Sequence, residues 1–194
     1  MGVALGRSGG AGGGALSLPN LISLARLLSV PLAVYLVLEA DYGWAFTVFL
    51  LAGLSDAVDG LVAKRFGQTS ALGAYLDPLA DKALLVGVYV ALGVQDAVPM
   101  WLVIIVVFRD ILIVGGVLLL QLVGQPARVR PLLVSKVNTA AQISLAAIVL
   151  AERAFAFAVE PVTAVAVWAV AATTVGSGAA YVIAWMRYVE PMDG

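Results

Sequence analysis

The 194-residue chain contains no cysteine and no histidine. Without thiols it can form no disulfide and run no thiol catalysis, and its compartment's redox state leaves no mark on it. Without either residue, zinc, copper and haem iron lose their usual ligands, so a metal here would be a hard cation held by oxygen. A general base, if one is needed, would be a carboxylate. Charge is scarce as well. Asp, Glu, Lys and Arg make up 12% of the chain, and 11 basic against 12 acidic residues leave a net charge of -1, which gives no reason to expect nucleic-acid binding.

What fills the space is apolar: 62% of the residues are hydrophobic, the composition of a polytopic membrane protein. Six runs near the roughly 20 residues a bilayer requires are expected at 20–39, 44–65, 71–94, 98–123, 133–151 and 161–186. The predicted fold is therefore all-α, an integral membrane bundle of six transmembrane helices over 17–188. Residues 1–16 are Gly-rich and read as a flexible tail, with no apolar core for a cleaved signal peptide; residues 189–194 form a C-terminal tail. Ser17 to Asn20 mark a helix start. Arg26 near the start of the first run and Pro31 inside it predict an interfacial portion that bends into a spanning one. Arg7, Lys64, Arg65, Arg128, Arg130, Lys136 and Arg187 gather on one side and only Arg153 on the other, which predicts both termini in the cytoplasm.

Four carboxylates interrupt this apolar pattern between Asp56 and Asp81, in DAVDGLVAKRFGQTSALGAYLDPLAD. An acid in a membrane segment is a functional-site candidate by default, because it costs several kcal/mol unless a cavity, cation or partner receives it. Asp56 and Asp59 are three apart, and Asp77 and Asp81 four apart, so each pair shares a helix face. If the two helices are antiparallel neighbours, the four acids meet at one depth. Like charges that close need protons or cations, and Mg2+, Mn2+ or Ca2+ suit carboxylate oxygen best.

This stretch resembles the signature of the CDP-alcohol phosphatidyltransferases, D(x)2DG(x)2AR(x)8G(x)3D(x)3D. Asp56, Asp59, Gly60, Ala63, Gly73, Asp77 and Asp81 stand in register. Lys64 departs from the pattern: it replaces an Arg and is followed by Arg65, which keeps the cation but puts a bidentate phosphate fork in doubt. The resemblance implies that Asp56, Asp59, Asp77 and Asp81 hold two divalent cations, Mg2+ or Mn2+. It also implies that Asp56, Gly60, Ala63, Lys64 and Gly73 serve the nucleotide, and that Asp81 is the catalytic base. Gly73 suits close helix packing equally well.

Outside the motif, Arg109 and Asp110 sit inside an apolar run, either as a structural ion pair between helices or with Arg109 meeting an anionic phosphate. Lys82 can pair with Asp81 or snorkel. Arg128, Arg130 and Lys136 are topology determinants, headgroup contacts or acceptor ligands. The last run, with Gly176, Ser177 and Gly178, reads as a packing surface without chemistry.

The stretch SKVNTAAQ and the Arg109-Asp110 pair are most similar to the cardiolipin synthase branch of the family. That resemblance implies transfer of a phosphatidyl group from CDP-diacylglycerol to phosphatidylglycerol, with Arg109, Arg128, Arg130 and Lys136 binding the acceptor. The alternative acceptor is glycerol 3-phosphate, giving phosphatidylglycerophosphate. It further implies a homodimer among membrane lipids, in a bacterial inner (plasma) membrane, with a cavity open to the cytoplasmic interface. A remote reading of another class is an ion or proton transporter, against which stands the absence of an inverted repeat of the acidic pair.

Overall fold

The structure, a computed structural model, describes residues 18–66, 71–122, 133–157 and 160–189, and gives the backbone alone for 18–21, 23, 56–66, 71–79, 118, 120–121 and 187–189. Those residues form six helices: α1 (Leu18–Leu38), α2 (Tyr42–Phe66), α3 (Ala71–Val94), α4 (Met100–Leu122), α5 (Leu133–Phe155) and α6 (Glu160–Val189). They coincide closely with the apolar runs, since a helix satisfies its own backbone hydrogen bonds wherever water is lacking. Both expected tails and the basic positions Arg128 and Arg130 lie outside the described residues.

α1 continues unbroken through Pro31. A proline there removes only the N–H that would reach the Leu27 carbonyl.

Short turns close the helix pairs at the end of the bundle away from the acids. Ala40 and Asp96 adopt left-handed backbone, with φ of 58° and 52°. In each turn the amide of that residue and the one after it fold back onto the helix just ended. Asp41 N–H donates to the Leu36 carbonyl at 2.9 Å and Ala40 N–H to Val37 at 3.0 Å, while Ala97 N–H reaches Leu92 at 2.9 Å. Gln95 crosses between the two turns, its Nε2 donating to the carbonyls of Val37 and Leu38 at 3.0 and 2.8 Å. Carbonyls that end α1 are thereby satisfied by a side chain from the turn between α3 and α4.

Packing follows a ring. α1 lies on α2 and α3, α2 on α5, α5 on α6, α6 on α4 and α4 on α3, while α3 and α5 also touch across the middle. The core fills the half near the short turns with Val88, Tyr89, Leu92, Leu102, Val106, Leu145, Val149 and Val170. Outside, the surface is apolar: Leu28, Phe108, Ile111, Val165 and Trp168 are all more than 60% exposed. So large a continuous apolar exterior suits lipid and not water. Among the described residues, three helical segments are long and apolar enough to cross a membrane, Met100–Val117, Leu133–Phe155 and Glu160–Met186, with shorter apolar stretches at Leu24–Leu38 and Tyr42–Ser55.

Candidate active site

Asp81 sits on α3 with its side chain 41% exposed, and Arg26 of α1, 1% exposed at the side chain, donates from Nη1 to its Oδ1 at 2.7 Å. A charged guanidinium is buried only where something repays its lost hydration. Here the partner is the carboxylate that ends the acidic motif. Arg26 therefore ties Asp81 from behind, while the carboxylate keeps access to open space.

That space is a cavity of 340 Å³ walled by α1, α2, α3 and α5. Arg26, Asp81, Lys82, Thr139 and Gln142 supply its polar atoms, and Phe49, Leu50, Leu54, Leu84, Leu85 and Ile143 most of its wall. Leu50, Leu54 and Ile143 are also exposed on the outer surface, so the cavity reaches the lipid-facing side between α2 and α5.

Helix register extends this geometry into the motif. On α2, positions 56 and 59 continue the i, i+3, i+4 series of Phe49, Ala52 and Gly53, which line the cavity. On α3, position 77 lies one turn before Asp81. Gly60, Ala63, Lys64 and Gly73 fall on the described backbone of α2 and α3, with their side chains, like those of Asp56, Asp59 and Asp77, outside the described part. Two acids per helix, in register with one cavity, are hard oxygen donors of the kind Mg2+ and Mn2+ take. In donor chemistry the four acids suit such ions, while among the described residues no three potential ligands are grouped to hold one.

Lys82 does not pair with its neighbour Asp81. Its Nζ lies 3.0 Å from Asp110 Oδ2 on α4. Consecutive helical residues diverge by about 100°, so α3 turns Asp81 toward α1 and Lys82 toward α4.

Arg109 and Asp110 do form an ion pair, at 2.7 Å, within one helix and not between two. The guanidinium is buried, and its other donors are also taken. Nε and Nη2 reach Ser177 Oγ on α6, and Nη2 reaches Ser135 Oγ on α5 at 2.6 Å. Ser177 is fully buried. The small-residue stretch of α6 thus holds a ligand for Arg109, which a reading of packing alone overlooked. Lys136, adjacent to Ser135, points outward and is exposed on α5.

Two buried amides complete the polar interior. Asn138 on α5 accepts from Thr173 and Thr174 hydroxyls on α6, each at 2.9 Å. Tyr89 Oη donates to the Gln142 backbone carbonyl at 3.0 Å. Yet Asn138 Nδ2 and Gln142 Nε2 have no hydrogen-bond partner among the described residues, and both side chains are essentially inaccessible. A buried donor left unpaired costs about 1–3 kcal/mol. The sequence marks Arg26 only as an interfacial cation and Gln142 only as the last residue of SKVNTAAQ, because nothing local to either names the cavity they share.

The family model described as CDP-alcohol phosphatidyltransferase matches residues 16–176. A cardiolipin synthase (CMP-forming) of Rattus norvegicus is 38% identical over 158 residues, covering 73% of this chain and 52% of the relative. A chloroplastic CDP-diacylglycerol--glycerol-3-phosphate 3-phosphatidyltransferase of Oryza sativa is 36% identical over 194 residues, covering 91% of this chain and 59% of the relative. A cardiolipin synthase (CMP-forming) of Streptomyces coelicolor is 37% identical over 117 residues, covering 57% of this chain and 54% of the relative. The chain spans about half the length of these curated relatives.

Proposed function

We propose that this chain, which belongs to the CDP-alcohol phosphatidyltransferase family, transfers a phosphatidyl group from CDP-diacylglycerol to a hydroxyl of phosphatidylglycerol, giving cardiolipin and CMP. The observation that carries the reading is Asp81 at the polar end of an apolar cavity that reaches the lipid-facing side. A carboxylate placed there can meet a hydroxyl whose owner keeps its acyl chains in the bilayer.

Asp56, Asp59, Asp77 and Asp81 would hold two divalent cations, Mg2+ or Mn2+, which when bound neutralise the pyrophosphate and the departing phosphate. Lys64 holds the nucleotide's phosphates as a point charge, beside the small positions Gly60, Ala63 and Gly73, which leave room for the cytidine nucleotide. The acceptor oxygen attacks the phosphorus that carries the diacylglycerol. Its bond to phosphorus forms as the bond to the CMP oxygen breaks; CMP leaves with the electron pair, and the hydroxyl proton passes to Asp81. Arg26 fixes the rotamer of Asp81 for that transfer.

Acceptor capture falls to Arg109, Arg128, Arg130 and Lys136. Lys82, Arg109 and Asp110 combine two cations with one carboxylate, so the cluster keeps a positive field for an anionic headgroup even while the Arg109 donors serve protein oxygens. The basic residues support a six-span topology with both termini in the cytoplasm and the cavity open to the cytoplasmic interface, and the Streptomyces coelicolor relative favours a bacterial inner membrane. The protein works there as a homodimer.

The rice relative supports a second reading, with glycerol 3-phosphate as acceptor. Thin-layer chromatography of products from CDP-diacylglycerol with each acceptor separates the two. Cardiolipin from the phosphatidylglycerol tube is the expected result; phosphatidylglycerophosphate alone, from the other tube, would transfer the chain to the second reading.

A further inference from the structure

We propose that Gln142 is a substrate-binding residue, whose side-chain amide donates to an oxygen of a glycerophospholipid acceptor seated in the 340 Å³ cavity. The inference rests on the phosphatidyl-transfer reading and adds to it the residue and the acceptor class.

Three observations converge on this residue. Gln142 is 1% exposed, it lines the cavity, and its Nε2 has no hydrogen-bond partner among the described residues. An amide N–H₂ can only donate, so its missing partner carries an acceptor oxygen: a phosphodiester, an ester carbonyl or a hydroxyl. Position then selects among the substrates. The motif residues before Asp81 on α3, and those of α2, lie toward the α2–α3 connection, where the nucleotide is placed. Gln142 belongs to α5, a helix without motif residues, and lines the same cavity as Asp81. The base takes its proton from the attacking alcohol, so the alcohol enters the cavity that Asp81 and Gln142 both line.

The walls define the class of alcohol. Phe49, Leu84 and Leu85 are buried along the cavity, and Leu50, Leu54 and Ile143 open it to the lipid-facing side. A small dianion such as glycerol 3-phosphate would leave those walls uncovered and lose its own hydration against them. An esterified glycerol fits both halves, with its oxygens toward Gln142 and its acyl chains passing between α2 and α5.

Asn138, one turn away on the same helix, supplies the contrast. Its amide also has an unpartnered nitrogen, but its oxygen accepts from both Thr173 and Thr174. Asn138 therefore helps hold α5 to α6, whereas among the described residues the Gln142 side-chain nitrogen makes no hydrogen bond to another helix. A structural amide and a ligand-binding amide respond oppositely to an apolar replacement of similar size.

The test compares Gln142→Met, Gln142→Asn and Asn138→Leu in the full chain, purified in nanodiscs. Gln142→Met is expected to melt at or above the unmodified protein without ligand, because it removes an unpaired buried donor, while Asn138→Leu melts lower. Phosphatidylglycerol should raise the melting temperature of the unmodified protein and fail to raise that of Gln142→Met. In turnover, the KM for phosphatidylglycerol should rise roughly tenfold in Gln142→Met, with partial recovery in Gln142→Asn and an unchanged KM for CDP-diacylglycerol. A KM rise confined to CDP-diacylglycerol would place the amide on the donor and overturn the proposal. So would a lower melting temperature with both KM values unchanged. Glycerol 3-phosphate producing the Gln142-dependent shift, with phosphatidylglycerol producing none, would overturn the lipid class. The thermal shift needs no turnover: its loss in Gln142→Met supports the subsite even if no CMP is released, an outcome that would remove the transfer reading alone.

Discussion

Arg26 and Asp81, 55 residues apart, meet at 2.7 Å with the guanidinium sealed inside the bundle and the carboxylate left 41% exposed at the side chain. The arrangement fixes a proposed base without covering it. Arg26→Ala should lower kcat by roughly 100-fold, because a small displacement of a reacting group is enough for such a loss. Arg26→Lys, which keeps the charge but not the planar fork, should recover part of it. Initial rates at saturating substrates check this, with a melting curve to establish that each variant folds.

Asp81→Asn should abolish transfer while the protein still folds and still binds CDP-diacylglycerol. Adding Arg26→Ala to that variant should cost little more turnover, since residues that act as one unit lose their effect together. Full turnover in Asp81→Asn would remove the base assignment, and loss of nucleotide-lipid binding as well would make metal ligation its main role.

The buried Arg109 cluster yields a stability prediction. Asp110→Ala leaves a guanidinium and Lys82 without their carboxylate, and breaking such a buried pair costs about 3–5 kcal/mol. Ser177→Ala removes one neutral acceptor of Arg109 and should cost about 1–2 kcal/mol. Denaturant titration of the two variants in the same detergent reads the order directly.

Trp185 gives an optical test of α4 against α6. A Cβ placed on Gly116 would lie 1.9 Å from the indole ring of Trp185, so the ring occupies space that only glycine leaves. Gly116→Ala must push the indole away. Its emission should shift to longer wavelength if the displaced ring meets a more polar environment, with the melting temperature falling; unchanged emission and stability would contradict this packing.

The helices were legible in the sequence because a bilayer-length apolar run has few alternatives, and their observed ends follow those runs. Of the four acids, Asp81 lines the cavity, and the others are placed only by helix register, since spacings of three and four fix a helix face without any partner. Contacts between distant helices were not. Nothing local to Arg26 marks it as the partner of Asp81, and the pairing of Lys82 with Asp110 instead of Asp81 depends on which neighbour each face of α3 meets. Ser177 sat unnoticed among small residues, where composition reports close packing and is silent on the hydroxyl. Pro31 lies inside one continuous α1, which packs on α2 and α3.

The most direct measurement is CMP release by the purified protein supplied with CDP-diacylglycerol, phosphatidylglycerol and Mg2+ or Mn2+, with Asp81→Asn beside it. Phosphatidyl transfer requires CMP and cardiolipin in equal amounts, stopped by chelation of the metal and absent from the variant. A folded protein that releases no CMP under these conditions, or releases it equally well with Asp81→Asn, would contradict the account.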